Sequence, residues 1–291
     1  MSTPPPHLRW TDKATLKAPI LLAAFEGWND AGEASSTAVR YLRDHFEARP
    51  VATIDAEDFF DFTVARPMVQ LDQQEKRTIK WPSTVVSVAE IEGSDHDLVT
   101  LIGHEPQLRW RTFADQVHQA AEALGAVQVI TLGALLVDVP HTRPVQIYGS
   151  SDDPKLAQRL AISPSTYQGP TGIVGVLASC LREQGLPTAS FWAGVPAYVS
   201  NAPSPKAALA LVNRVCQAFD TSLTCADLEI SAAAYERQVS DIVAEDESTA
   251  TYVEQLEEDF DAQEQDFKDD PDRLVSEVED FLRGQNGRSE S

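Results

Sequence analysis

Between residues 19 and 223, short apolar runs alternate with segments of helical period, and this alternation restricts the fold more than any other feature. Residues 19–25 form an apolar run that ends in a Gly/Asn/Asp cluster, the pattern of a buried strand. Residues 31–46 then repeat apolar positions at helical spacing through Ala34, Ala38, Leu42 and Phe46. Further strands are predicted at 51–54, 84–88, 97–102, 127–132 and 188–193, the last three ending at Gly103, Gly133 and Gly194. Helices are predicted at 113–124, 172–181 and after Ser204. There Ser204 caps and Pro205 takes the first helical position, with an apolar face through Leu209, Val212, Cys216 and Phe219. Apolar strands alternating with helices predict an α/β fold: a three-layer α/β/α sandwich around a mostly parallel sheet. Sites in such sheets lie at the carboxyl ends of strands.

Charge marks a boundary inside the chain. The net charge is −22 over 291 residues, and residues 226–291 carry −16 of it, with 21 acidic and 5 basic side chains. In this segment Leu228, Tyr235, Val239 and Ile242 share one helical face. A second stripe runs through Val253, Leu256, Phe260 and Phe267, and a third through Leu274, Val278 and Phe281. The expected organisation is a disordered lead-in at residues 1–18, an α/β/α core at 19–225, an acidic helical subdomain at 226–284 and a disordered tail at 285–291. The acidic helices are either a solvated appendage or a docking surface for a partner.

The same charge argues against nucleic acid and anionic lipid as partners, since both select basic surfaces. No run approaches the roughly 18–20 apolar residues of a membrane helix. The proline-rich start has no apolar core of a secretory signal, so a cytoplasmic protein is expected. Cys180, Cys216 and Cys225 show no CxxC spacing and read as buried reduced thiols. No metal site and no cofactor is expected.

Polar residues gather in the loops after the predicted strands. Phe25-Glu26-Gly27-Trp28-Asn29-Asp30-Ala31-Gly32 opens a helix. Asp30 is placed to cap it and Glu33 to complete a capping box. The alternative is a ligand or partner site using Glu26, Trp28 and Asn29. His104 and Glu105 follow the strand at 97–102, an acid–base pair only if their side chains face one substrate. Arg109 and Arg111 are candidates to neutralise Glu26 or Asp30, or to bind an anion. Asp138-Val139-Pro140-His141-Thr142-Arg143-Pro144 is stiffened by two prolines. Tyr167-Gln168-Gly169-Pro170-Thr171-Gly172 opens a helix but lacks the lysine and hydroxyl of a phosphate loop, so close helix–sheet packing is expected. Neither GxSxG nor HExxH occurs.

These loops, with Gly103-His104-Glu105-Pro106 and Trp192-Ala193-Gly194-Val195-Pro196-Ala197-Tyr198, resemble those of the proteasome assembly chaperone 2 family in its actinobacterial branch. The match covers roughly 19–223, and the Gly-Trp-Asn-Asp-Ala-Gly string is its most specific part. The resemblance implies a sandwich related in architecture to nucleoside phosphorylases and nucleosidases, with an acidic helical addition. It also implies relatives that help assemble the proteasome core particle. The chain ends Gly287-Arg288-Ser289-Glu290-Ser291, without the hydrophobic–tyrosine ending of activator tails, so docking through that end is not expected.

Two functions follow as expectations. One is a non-enzymatic, homo-oligomeric assembly or scaffold protein. A trimer is expected by fold analogy, with a further protein partner possible through the acidic helices. The other is a binder or enzyme for nucleoside-like or acyl compounds. Its pocket at the strand ends would be formed by Glu26, Gly27, Trp28, Asn29, Asp30, His104, His141, Arg143, Tyr167 and Gly172.

Overall fold

The computed structural model describes residues 7–72, 75–200 and 202–267. Its centre is an eight-stranded sheet in the order β1-β3-β6-β7-β2-β8-β10-β9. The strands are β1 (Leu8–Trp10), β2 (Ile20–Glu26), β3 (Arg49–Ile54), β6 (Thr84–Ala89), β7 (Leu98–His104), β8 (Gln128–Val137), β9 (Ile147–Ser150) and β10 (Thr188–Pro196). The four central strands β7, β2, β8 and β10 are parallel. The flanking strands β6, β3, β1 and β9 pair antiparallel. A separate hairpin, β4 (Met68–Leu71) with β5 (Arg77–Lys80), is inserted in the chain between the paired strands β3 and β6.

Alternate residues of β2 explain the three layers. Ile20, Leu22 and Ala24 face a cluster with helices α1 (Ala34–His45), α3 (Pro154–Leu160) and α5 (Pro205–Ala218). Leu21, Ala23 and Phe25 face α2 (Trp110–Leu124) and α4 (Ile173–Glu183). A strand packed on both faces has no polar side to show water, which is why this run is apolar throughout. Burying each large apolar side chain stabilises the fold by about 1.5–3 kcal/mol.

Several expectations change. The lead-in is ordered from His7 onward: Leu8 is buried in the core, and Arg9 pairs with Asp55 at 2.6 Å. Gly103, Gly133 and Gly194 do not end their strands but lie within β7, β8 and β10. Their role is close approach. A Cβ on Gly133 would stand 2.4 Å from the Trp192 ring, and one on Gly103 2.6 Å from Thr84 Oγ1. The hairpin, β9 and α3 have no counterpart in the sequence reading. For α3 the signal is present in Asp153-Pro154, since the Asp153 side chain accepts from Leu156 N at 2.8 Å.

The acidic segment forms α6 (Ala226–Ala244) and α7 (Glu247–Phe267). On α6 the buried positions are Leu228, Ala232, Tyr235, Val239 and Val243. Ile242, expected on that face, is exposed, because the stripe steps by three and four residues to Val243. Val253, Leu256 and Phe260 of α7 are buried as expected. The side chain of Phe267, the third stripe through Leu274, Val278 and Phe281, and residues 285–291 lie outside the described residues. Among the described residues, no helix is long and apolar enough to cross a membrane.

Candidate functional site

Two polar clusters occupy the carboxyl edge of the parallel strands. The first sits where β2 and β7 end side by side, Glu26 opposite His104 in the register. Glu26 accepts from His104 Nδ1 at 2.7 Å and forms an ion pair with Arg40 of α1. Arg40 also donates to Ser36 Oγ, one turn back, at 3.0 Å. Burial and the nearby Arg40 guanidinium push the His104 imidazole below its ordinary value. At neutral pH it is therefore uncharged and donates to Glu26 as a neutral ring.

Glu105 faces elsewhere. Its Oε1 accepts from Asn29 Nδ2 at 2.7 Å and from Ile173 N, the first residue of α4, at 2.8 Å. His104 and Glu105 are therefore not a pair acting on one substrate, because successive residues at a strand end point to opposite faces. The helix dipole and the first N–H of α4, that of Ile173, are met by this chain's own carboxylate, so the turn at Gly172 is not an open anion site. A Cβ on Gly172 would stand 2.3 Å from Asn29 Oδ1 and 2.7 Å from Glu105 Oε1. Only glycine lets these three groups close together. Asn29 is fully buried, and its Oδ1 has no hydrogen-bond partner among the described residues.

Asp30 does cap α1, by a different route from the expected capping box. Glu33 has a left-handed backbone, φ 51°, and a short 3-10 turn at Ala31–Glu33 precedes the helix. The Asp30 carboxylate reaches past that turn to Ser35 N at 2.8 Å, Ser35 Oγ at 2.6 Å and Ser36 N at 3.1 Å. Gly27, at φ 123°, makes the turn that precedes this cap. Neither Arg109 nor Arg111 neutralises Glu26 or Asp30. Arg40 pairs with Glu26, and Arg109 pairs with Asp58 at 3.1 Å.

The second cluster is the loop after β8, and it holds the acidic helices. His141 is buried between Tyr198 and α6. Its backbone N–H donates to the Tyr198 hydroxyl at 2.8 Å, and its Nδ1 lies 2.8 Å from the same oxygen. Its Nε2 lies 2.9 Å from Ser240 Oγ, which itself donates to Glu236 O at 2.9 Å. One tautomer satisfies every group: Nε2–H donates to Ser240, and the Tyr198 hydroxyl donates to Nδ1. Burial, then the Lys206 charge, lowers the His141 pKa, which keeps the ring neutral.

Arg143 grips α7. Its Nε and Nη2 donate to the two Asp261 oxygens, each at 2.7 Å, and Glu257 lies 3.6 Å away. This fork raises the Arg143 pKa and lowers that of Asp261. Thr142 donates to Glu257, and the Tyr252 hydroxyl donates to Asp138 at 2.9 Å. Burial, then Asp138, pushes the Tyr252 pKa up to about 12. Lys206 donates to His141 O at 2.5 Å and pairs with Glu236.

The ten proposed pocket residues thus divide. The structure gathers Glu26 with His104, and Asn29 with Gly172 around Glu105. It commits His141 and Arg143 to the helical segment. Tyr167 folds on its own loop, its hydroxyl donating to Pro170 O at 2.9 Å. Trp28 is 68% exposed. Sequence reasoning missed Arg40, Ser240, Glu257 and Asp261, and it quoted Tyr198 only within a motif and gave it no role. Arg40 carries a local signal, one turn after Ser36 on the helix that leaves β2. The others are set by tertiary contacts.

Residues 24–243 match the model of the PAC2 family. The chain belongs to the PAC2 family. A family member of known structure from Streptomyces avermitilis is 44% identical, covering 81% of this chain and 99% of that one, with a TM-score of 0.76. The proteasome-assembly chaperone homologue of Mycobacterium tuberculosis is 42% identical, covering 80% and 99%, with a TM-score of 0.73. The archaeal proteasome activator PbaB of Pyrococcus furiosus shares the fold at 13% identity, covering 81% and 97%, with a TM-score of 0.65. No curated protein matches the chain. The family match reaches into the last turn of α6, so it includes both His141 and its partner Ser240.

Proposed function

We propose that this chain is an assembly protein, a homo-oligomer that acts by binding other polypeptides and not by turning over a small molecule. The observation that carries this reading is its 42% identity to the mycobacterial proteasome-assembly chaperone homologue over 99% of that chain. The way His141 and Arg143 are used supports it: residues suited to a ligand are engaged in gripping helices of the same chain. The net charge of −22 suits a protein partner better than nucleic acid. A cytoplasmic location and a trimer belong to the same proposal. The partner it would take is an unassembled subunit of the proteasome core particle. The test mixes the purified full chain with separately purified core subunits from the same host. Co-elution and faster appearance of assembled particle are expected. Separate elution with unchanged assembly kinetics would refute the proteasomal reading.

A second reading has one observation in its favour. Asn29 Oδ1 is buried without a donor, next to the exposed indole of Trp28. A nucleoside-like or acyl ligand with an N–H or O–H group would supply that donor, with Glu26, Gly27 and Asp30 around it. A thermal-shift screen of such compounds tests it, since ligand at about 100 times its Kd raises stability by about 2.7 kcal/mol. No shift with any of them removes this reading.

A further inference from the structure

Helix α7 lies in a groove formed by the rest of the chain, and that groove has the chemistry of a receptor. One wall is the loop after β8. There Arg143 donates through Nε and Nη2 to both Asp261 oxygens and stands 3.6 Å from Glu257, and Thr142 donates to Glu257. The other wall is α6 with the turn after β10. Tyr235, Val239 and Val243 form an apolar cluster with Tyr198 and Val199, and Val253 of α7 completes it. Only 29% of the Arg143 side chain is exposed. A guanidinium covered to that degree needs an anion beside it. The groove therefore calls for a carboxylate as well as an apolar face.

The helix in the groove is poorly suited to stand alone. α7 has eight acidic side chains and no Lys or Arg. Glu254 and Glu258, and again Glu257 and Asp261, stand at i, i+4 spacing, and like charges so placed weaken a helix. Its stripe of Val253, Leu256 and Phe260 is buried, so docking supplies both a cation and an apolar seat. The hold is nevertheless light. The Asp261 side chain is 52% exposed, which makes its ion pair with Arg143 a weak one. The apolar seat is also small beside the two clusters of the sandwich. α6 is rooted differently. Cys225 and Leu228 belong to the sandwich core, and the Tyr41 hydroxyl donates to Asp227 at 2.7 Å. This wall stays in place when α7 leaves, with the turn at Glu245 and Asp246 as the hinge. The family match ends at residue 243, so both walls lie within it and α7 lies outside.

On the assembly reading above, we propose that this groove is a docking site for an acidic amphipathic helix of a partner polypeptide, and that α7 covers it until such a helix displaces α7. Recognition is of the helix-in-groove kind. Apolar residues of the incoming helix at i, i+3 and i+7 take the places of Val253, Leu256 and Phe260. Carboxylates at i+4 and i+8 take those of Glu257 and Asp261. Cover and partner compete for one Arg143, so the cover lowers the apparent affinity to the fraction of molecules whose groove is open.

The probe is a fluorescein-labelled peptide of residues 247–267, read by fluorescence anisotropy against the full chain. In Glu257→Lys/Asp261→Lys, Arg143 repels the chain's own α7 and the groove is open. The peptide is expected to bind this variant at least about tenfold more tightly than the wild type, and to lose that binding when Arg143→Glu is added. A scrambled peptide of the same composition is expected not to bind. Circular-dichroism melts and hydrogen exchange on each variant verify that the sheet is intact and that α7 alone is released. Equal binding by wild type and open variant, or binding by neither, overturns the proposal. So does binding that survives Arg143→Glu or that the scrambled peptide matches. Unchanged protection of α7 in Glu257→Lys/Asp261→Lys overturns it as well, since the cover would then not depend on Arg143. A wild-type oligomer that Arg143→Glu dissociates would make α7 of a second copy the occupant and overturn docking of a partner. None of these outcomes touches the assembly reading, which co-elution with core subunits tests separately.

Discussion

The two polar clusters at the carboxyl edge of the sheet use the same residue types for different ends. Around Glu26, partners are near in sequence or adjacent in the sheet: Arg40 is one helix away and His104 is the cross-strand neighbour. Around His141, partners are remote. Ser240 is 99 positions downstream of His141, and Asp261 is 118 positions downstream of Arg143. The first cluster closes the α/β unit on itself by capping α1 and α4. The second fastens a separate acidic segment to that unit. A strand end in a doubly covered sheet is a general attachment point, and a ligand is only one of the things it can hold.

The largest loss of stability is expected at Glu105. Glu105→Ala removes the two hydrogen bonds that Glu105 Oε1 accepts and leaves the buried Asn29 amide with neither atom paired. A loss of roughly 3 kcal/mol is expected in urea unfolding, in a transition that involves the whole α/β unit. At the second cluster, His141→Ala is expected to cost about 2 kcal/mol, since it deletes two side-chain bonds in a buried setting.

The two clusters also respond to acid in the same direction. The pKa values of His104 and His141 are both lowered in the folded chain. Their contribution is therefore fully present above the unfolded value, about 6.5. It is lost as pH falls from there through the folded pKa, because the unfolded chain takes up protons first. Protonated His141 would also present a second N–H where the Tyr198 hydroxyl now donates. Melting temperatures taken between about pH 7.5 and pH 5.5 should fall with acid in the wild type and less steeply in His141→Ala. An equal slope in both would assign the effect to other groups.

The smallest effect is expected at Arg143. Its partner Asp261 is half exposed, so Arg143→Ala should leave global stability nearly unchanged, the more so at high salt. Yet it should loosen α7 selectively, which separates fastening from folding.

The difference between partners fixed by sheet register and partners fixed by packing alone also explains what was legible. The central strands and the helices of the sandwich follow from periodicity, because their burial is decided within each segment: the run at 19–25 becomes β2, and Ser204-Pro205 opens α5. The cap at Asp30 was legible for the same reason, though not the left-handed Glu33 that displaces the capping box. Gly133 misleads because a glycine is a strand stop or a close contact depending on what lies above it, and Trp192 is 59 positions away. His141 and Arg143 could be recognised as special by their prolines and their motif. Their partners could not, since nothing local in α6 or α7 distinguishes Ser240 or Asp261 from their neighbours.

The loop after β8 fastens the acidic helices to the sandwich. Hydrogen exchange on the full-length His141→Ala/Arg143→Ala variant tests it most directly. Faster exchange is expected along α6 and α7, with β2, β7, β8 and β10 as protected as in the wild type. Unchanged protection in α6 and α7, or loss of protection spread evenly through the sheet, would contradict it.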